Sequence, residues 1–157
     1  MKKIVVLFFI AILIIGHENI IFASYKNEEA LNEEMKLHLQ EVFSNRVNIW
    51  NTFITEGATL EDTKIQLKEY TTEPLIEVDF AIFQEIVENP TSYEVIKEVH
   101  IQNCEAIKVH GKESTFSVEI LWVLETYEEL VYEEVQYIVI MKKDKNKWLL
   151  SDYQLNR

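Results

Sequence analysis

From Leu31 onward, apolar residues return at three- and four-residue steps: Leu31, Met35, Leu39, Val42, Phe43, Val47, Trp50, Phe53 and Ile54. That spacing places them on one stripe of an α-helix of roughly 28 residues. Asn27, Glu28 and Glu29 suit its N-cap and first turn, and Gly57 suits its end. The opposite face is polar, with Glu33, Glu34, Lys36, Gln40, Glu41 and Asn48. Thr59 and Asp62 resemble a capping box and open a short second helix to about Tyr70. Thr72, Glu73 and Pro74 open a third, with Leu75, Ile82, Phe83, Ile86 and Val87 as its apolar side and Asn89-Pro90 as its end.

After Pro90 the period falls from near four to two. Tyr93 to His110 is β-rich but irregular, with a break near Gln102-Asn103 that predicts a bulge or bend. His110 to Glu113 reads as a hairpin turn. Phe116, Val118, Ile120, Trp122 and Leu124 then alternate with more polar positions, and both faces become apolar past Ile120. A central strand covered on both sides there is the expectation. Tyr127-Glu128-Glu129 makes a turn, Val131 to Met141 a third strand, and Trp148 to Tyr153 a fourth, joined by Lys142 to Lys147. Helices come first and strands last. The predicted class is α+β, with N-terminal helices packed on a curved, roughly four-stranded antiparallel sheet.

The first residues change where this domain is expected to work. Lys2 and Lys3 precede an unbroken apolar run from Ile4 to Ile15, interrupted by Gly16 and His17-Glu18-Asn19, and Ala23 precedes Ser24. This is the layout of a signal peptide spanning residues 1–23, followed by one domain over residues 24–157. The apolar run is 12 residues long, and a spanning helix needs about 20. Retention of residues 4–23 would instead leave the domain anchored to a membrane. The expected location is secreted or extracytoplasmic.

The whole chain carries 15 bases and 27 acids; losing Lys2, Lys3 and Glu18 leaves 13 and 26, a net charge near −13. That field disfavours nucleic acid and anionic membrane surfaces as partners. A single cysteine, Cys104, excludes an intramolecular disulfide and is read as a small apolar residue.

The end of the chain, YIVIMKKDKNKWLLSDYQ from Tyr137 to Gln154, is a strand, a charged turn and a Lys-Trp-aliphatic strand. With the long first helix and the shorter helices, it resembles the nuclear-transport-factor-like, or cystatin-like, cone fold over residues 27–153. The resemblance implies a curved sheet wrapped around a cavity. It also implies a choice between isomerases, cyclases and dehydratases and non-catalytic modules, since that fold serves all of them. No catalytic motif of the superfamily matches residue by residue, so none is carried over. The Gln-x-Val-x-Gly loop of inhibitory cystatins is absent around all three glycines.

Candidate chemistry is sparse. His38, His100 and His110 have no metal-ligand spacing, and no glycine-rich phosphate loop or nucleophile elbow is present. No metal or other cofactor is expected. Asp79 is the one aspartate inside the apolar third helix; facing a cavity, it would suit proton transfer, and facing water it would be an ordinary surface acid. Tyr70, Trp122 and Tyr137 are aromatic candidates for the cavity wall. Lys142, Lys143, Lys145 and Lys147 form a basic patch at the last turn, a candidate docking site or a device against strand-edge pairing. Together these give an exported, non-enzymatic binding or accessory module of the bacterial envelope or extracellular space. Its expected partner is an envelope protein or a small apolar ligand. The alternatives are a small cavity enzyme of isomerase or dehydratase type using Asp79, and an anchored component of an envelope secretion or conjugation complex.

Overall fold

The computed structural model describes residues 2–90, 93–126 and 128–156, with side chains from Asn27 onward. The expected leader therefore lies outside the residues whose side chains are described, and Tyr127 of the expected turn lies outside the described residues altogether. Three helices, α1 (Lys2–Glu56), α2 (Leu60–Leu67) and α3 (Leu75–Glu88), precede four strands, β1 (Val95–Val109), β2 (Glu113–Glu125), β3 (Leu130–Asp144) and β4 (Lys147–Leu155). The strands form one antiparallel meander in the order β1-β2-β3-β4. The fold is α+β, as the segregation of periods predicts.

Helix ends follow local chemistry. Gly57, at φ 73°, takes the left-handed conformation that stops α1. The Thr59 hydroxyl accepts from the Asp62 amide at 3.1 Å and caps α2. Asn27 is not a cap: it lies inside α1, because no proline or glycine after Gly16 interrupts the helix before it.

α1 buries Met35, Leu39, Val42 and Phe43 against Val99, Ile101, Phe116, Val118, Ile120 and Val139 of the sheet. Farther along, Ile49 and Phe53 of α1 meet Leu67 of α2 and Ile76, Phe83 and Ile86 of α3 in a second apolar cluster. Tyr70 packs against both clusters. On β2 past Ile120, Val123 is buried on the face away from α1, while Leu121, Trp122 and Leu124 are half-buried and Glu125 is exposed.

Two further expectations fail on the helices, for one reason each. Ile82 and Val87 do not belong to the buried side of α3; they are 44% and 56% exposed, and Asp79 takes the buried position between Ile76 and Phe83. The helix is rotated so that this carboxylate meets a base on α1. Gln40 does not belong to the solvated face of α1. Its side chain turns to the edge of β1, donating to the Val99 carbonyl at 2.7 Å and accepting from the Ile101 amide at 2.8 Å.

That contact belongs to a larger device. Asn51 makes the same two-way bond with Ile96, at 2.7 and 3.1 Å, and Asn32 accepts from the Ala106 amide at 3.0 Å. Carboxamides of α1 thus stand in for a missing strand along β1. β1 carries register shifts at Ile96/Glu98, Ile101/Asn103 and Ala106/Lys108, the middle one at the predicted break. Each extra residue sharpens the local twist and bends the strand, here around α1.

β4 is closed differently. Leu150 donates to the Tyr70 carbonyl and accepts from the Thr72 amide, both at 2.9 Å, so the α2–α3 link adds a short parallel bridge. Ser151 sits at the register shift between Ile140 and Met141 and donates its hydroxyl proton to the Glu73 carbonyl at 2.6 Å.

Candidate ligand cavity

Arg46 occupies the α1 stripe one turn after Val42 and Phe43, where an apolar residue would ordinarily face the core. Its Nη2 donates to both Asp79 oxygens, at 2.7 and 2.8 Å, and its Nε donates to Oδ2 at 3.2 Å. The side chains are only 12% and 10% exposed. The guanidinium carbon lies 5.1 Å from the Tyr153 ring centre and 5.8 Å from that of Phe43. Burial alone would lower the Arg46 pKa, but Tyr153 and Asp79 outweigh it and hold the pKa above its ordinary value. The pair is therefore a stacked ion pair in a mainly apolar setting.

Around it runs an edge-to-face aromatic chain. Phe43 meets Trp122 at 5.9 Å and Tyr153 at 5.5 Å, and Tyr153 meets Tyr137 at 5.4 Å. Trp50 and Phe83 stand 5.8 Å apart on the α1–α3 side. Between these walls is a cavity of about 160 Å³, lined by Phe43, Arg46, Trp50, Asp79, Trp122 and Tyr153 among others. Ile82, exposed on α3, also lines it, so the space reaches the surface beside that helix.

Of the four residues singled out for a cavity, the structure brings Asp79 and Trp122 together at this wall. Tyr137 stands behind Tyr153; burial, the largest influence, together with Tyr153 pushes its phenol pKa up against a smaller opposing hydrogen bond from Trp122. Tyr70 is at the junction of the two apolar clusters, with the Lys147 ammonium 5.1 Å from its ring centre. Arg46, Phe43 and Tyr153 are the wall residues that the sequence reading overlooks. A lone base inside the apolar stripe of α1, opposite a lone acid inside that of α3, is the signal that names the pair.

The lysines of the last hairpin are partly committed to the fold. Lys142 donates to the Glu73 carbonyl at 3.2 Å. Lys143 lies 5.6 Å from the Trp148 ring centre. Lys145 forms the turn itself at φ 54°. Cys104 is buried, and burial pushes its thiol up to about 12. Among the described residues, no group of three or more His, Cys, Asp or Glu side chains could hold a metal. From Asn27 onward, where side chains are described, no helix is long and apolar enough to cross a membrane.

No family model matches the chain, and no curated protein matches it. Among solved structures, a similarity is found to the crystal structure of the intermembrane space region of the chloroplast protein ARC6. It has 10% identity and a TM-score of 0.42, and covers 74% of this chain and 95% of that one. At that level it assigns neither fold family nor function.

Proposed function

We propose that this protein is an exported, non-enzymatic binding module of the cell envelope or extracellular space, with its ligand site in the α1–α3–sheet cavity. The cone-fold resemblance is part of the same proposal. The observation that carries it is the Arg46–Asp79 fork inside an aromatic-walled space open to the surface. A carboxylate with both oxygens held by one guanidinium is a poor proton acceptor. That argues against the isomerase or dehydratase alternative. An apolar cavity of similar size holds a single benzene-like ring, so the site suits a small apolar or aromatic molecule. The leader-like residues 1–23 support export.

Titration of the protein with indole and with benzene, followed by backbone and side-chain NMR, tests the site. Binding should shift the Trp122, Tyr153 and Arg46 resonances and raise the melting temperature. Ile82→Trp, which plugs the mouth, should abolish both effects. Shifts confined to other surfaces, or unchanged binding in Ile82→Trp, would sink the cavity reading. Intact mass of the protein recovered outside the cytoplasm tests the leader: loss of residues 1–23 is expected, and a retained Met1 favours the anchored envelope component instead.

A further inference from the structure

β2 and β3 pair without interruption from Glu113↔Lys142 to Glu125↔Leu130. β4 is shorter. Its last pair is Tyr137↔Leu155, and the final rung is the Asn156 amide donating to the Gln136 carbonyl at 2.9 Å. Beyond that point β3 continues to Leu130 with no strand on its outer side among the described residues. Six residues at strand rise give an open edge of about 20 Å.

The direction of the backbone groups follows from alternation. In an antiparallel pair, residues alternate between bonding inward to the partner strand and pointing outward. Gln136 bonds outward to Asn156, so Glu134, Tyr132 and Leu130 also point outward. The bond from the Thr126 amide to the Glu129 carbonyl at the turn gives the same phase. Three amides and three carbonyls thus face the open side.

Elsewhere the molecule closes its edges, with the α1 carboxamides along β1 and the Tyr70–Thr72 segment along β4. The β3 edge has neither device. It has no bulge, and Leu130 and Tyr132 are 46% and 64% exposed on the face away from α1. Its charges are uniformly negative: Glu133 on the α1-facing side and Glu134 on the other, with Glu128 and Glu129 beyond the strand's end. Glu119 on β2 has its carboxyl pKa raised, first by a hydrogen bond to Glu134, so two acids already crowd together beside the edge. A second copy would bring Glu133 and Glu134 against the same acids. Like charges on facing strands oppose that pairing, and bases in those positions favour it.

We infer that the β3 edge from Leu130 to Glu134 is a docking site for an extended, basic segment of a partner protein, which adds as a further strand. The backbone ladder supplies affinity, Glu133 and Glu134 select lysine or arginine on either face, and Leu130 and Tyr132 give an apolar contact on one face. This inference does not rest on the cavity reading.

The test uses the full-length ¹⁵N-labelled chain and a synthetic eight-residue peptide of valine and threonine with lysine at its two central positions, one on each face. A peptide of the same pattern with glutamate is the control. The basic peptide should slow hydrogen exchange at the Leu130, Tyr132 and Glu134 amides by about tenfold or more. The inward amides of Val131, Glu133 and Val135 are already protected by β2 and should change little. Tyr132→Pro removes an outward N–H that the β2 ladder does not use, and should weaken binding by about tenfold. Glu133→Lys with Glu134→Lys should reverse the preference from the basic to the glutamate peptide. Unchanged exchange at the three outward amides overturns the inference. So does basic-peptide binding that ignores Tyr132→Pro and the charge reversal, because that is unspecific attraction to an acidic surface. Protection that exists without peptide and grows with protein concentration assigns the edge to a second copy instead.

Discussion

The Gln40 side chain takes the place of a neighbouring strand for Ile101, accepting its amide proton at 2.8 Å while donating to the Val99 carbonyl at 2.7 Å. Gln40→Met keeps the length of the side chain and removes both bonds. The expected cost is about 1–3 kcal/mol in chemical denaturation, because a part-buried donor and acceptor lose their partners together. Exchange at the Ile101 amide should quicken more than at the Ile120 amide on the central strand. Equal acceleration at both would mean a global loss of stability rather than an opened edge.

The Arg46–Asp79 pair should behave as a coupled unit. Asp79→Leu leaves a buried guanidinium without its counter-charge, and Arg46→Met leaves a buried carboxylate; each should cost about 3–5 kcal/mol. Arg46→Met with Asp79→Leu removes both charges at similar volume. That double variant should be more stable than either single one. Additive single effects in urea unfolding would show that the two groups are not energetically paired.

Cys104 makes the alkaline limb of stability partly a thiol effect. Burial raises its folded pKa from the ordinary 9.0 to about 12. The folded chain therefore prefers the neutral thiol, and that preference contributes in full below pH 9.0. It is lost as pH rises toward 12, where the unfolded chain has already released its proton. The stability difference between the parent and Cys104→Ala should stay level below pH 9.0 and then move against the parent. Alkylation of the folded chain at pH 8 should be slower than in urea by about a thousandfold, from the thiolate fraction alone.

The hairpin lysines should contribute to stability unequally. Lys145 holds φ 54° without being glycine, and Lys145→Gly should stabilise by about 1 kcal/mol by relieving that conformation. Replacing Lys142, Lys143 and Lys147 with Gln removes the bond to Glu73 and the contacts over Trp148 and Tyr70. The loss should be about 1–2 kcal/mol, with the sheet intact by circular dichroism. Complete unfolding in the triple variant would contradict a turn that only decorates the core.

Much of the architecture can be read along the chain because each element carries its own period and stops. Gly57, the Thr59 capping bond and the bulge at Gln102 lie where local chemistry places them. What escaped the reading depends on contacts between distant elements. Counting apolar residues puts Ile82 and Val87 inside; Arg46, 33 positions before Asp79, turns α3 the other way. Gln40 reads as a solvated polar residue until β1, about 60 positions later, presents its unpaired amide. Of the cavity wall, Trp122 and Asp79 were legible in the sequence. The Arg46 half of its charged centre was not, because that base looks like an error in the stripe until Asp79 is beside it.

The α1–β1 contact also has a consequence in time. Asn32 waits for Ala106, 74 residues later, and His38 for Trp148, 110 residues later. A ribosome adds about 5–20 residues per second. The Met35–Phe43 stripe therefore emerges about 4–15 s before the first strand that can cover it. During that interval it is an amphipathic helix with nothing to lie on, available to any holding factor. The same long-range closure that makes the finished domain rigid keeps the nascent chain open until most of it has been made.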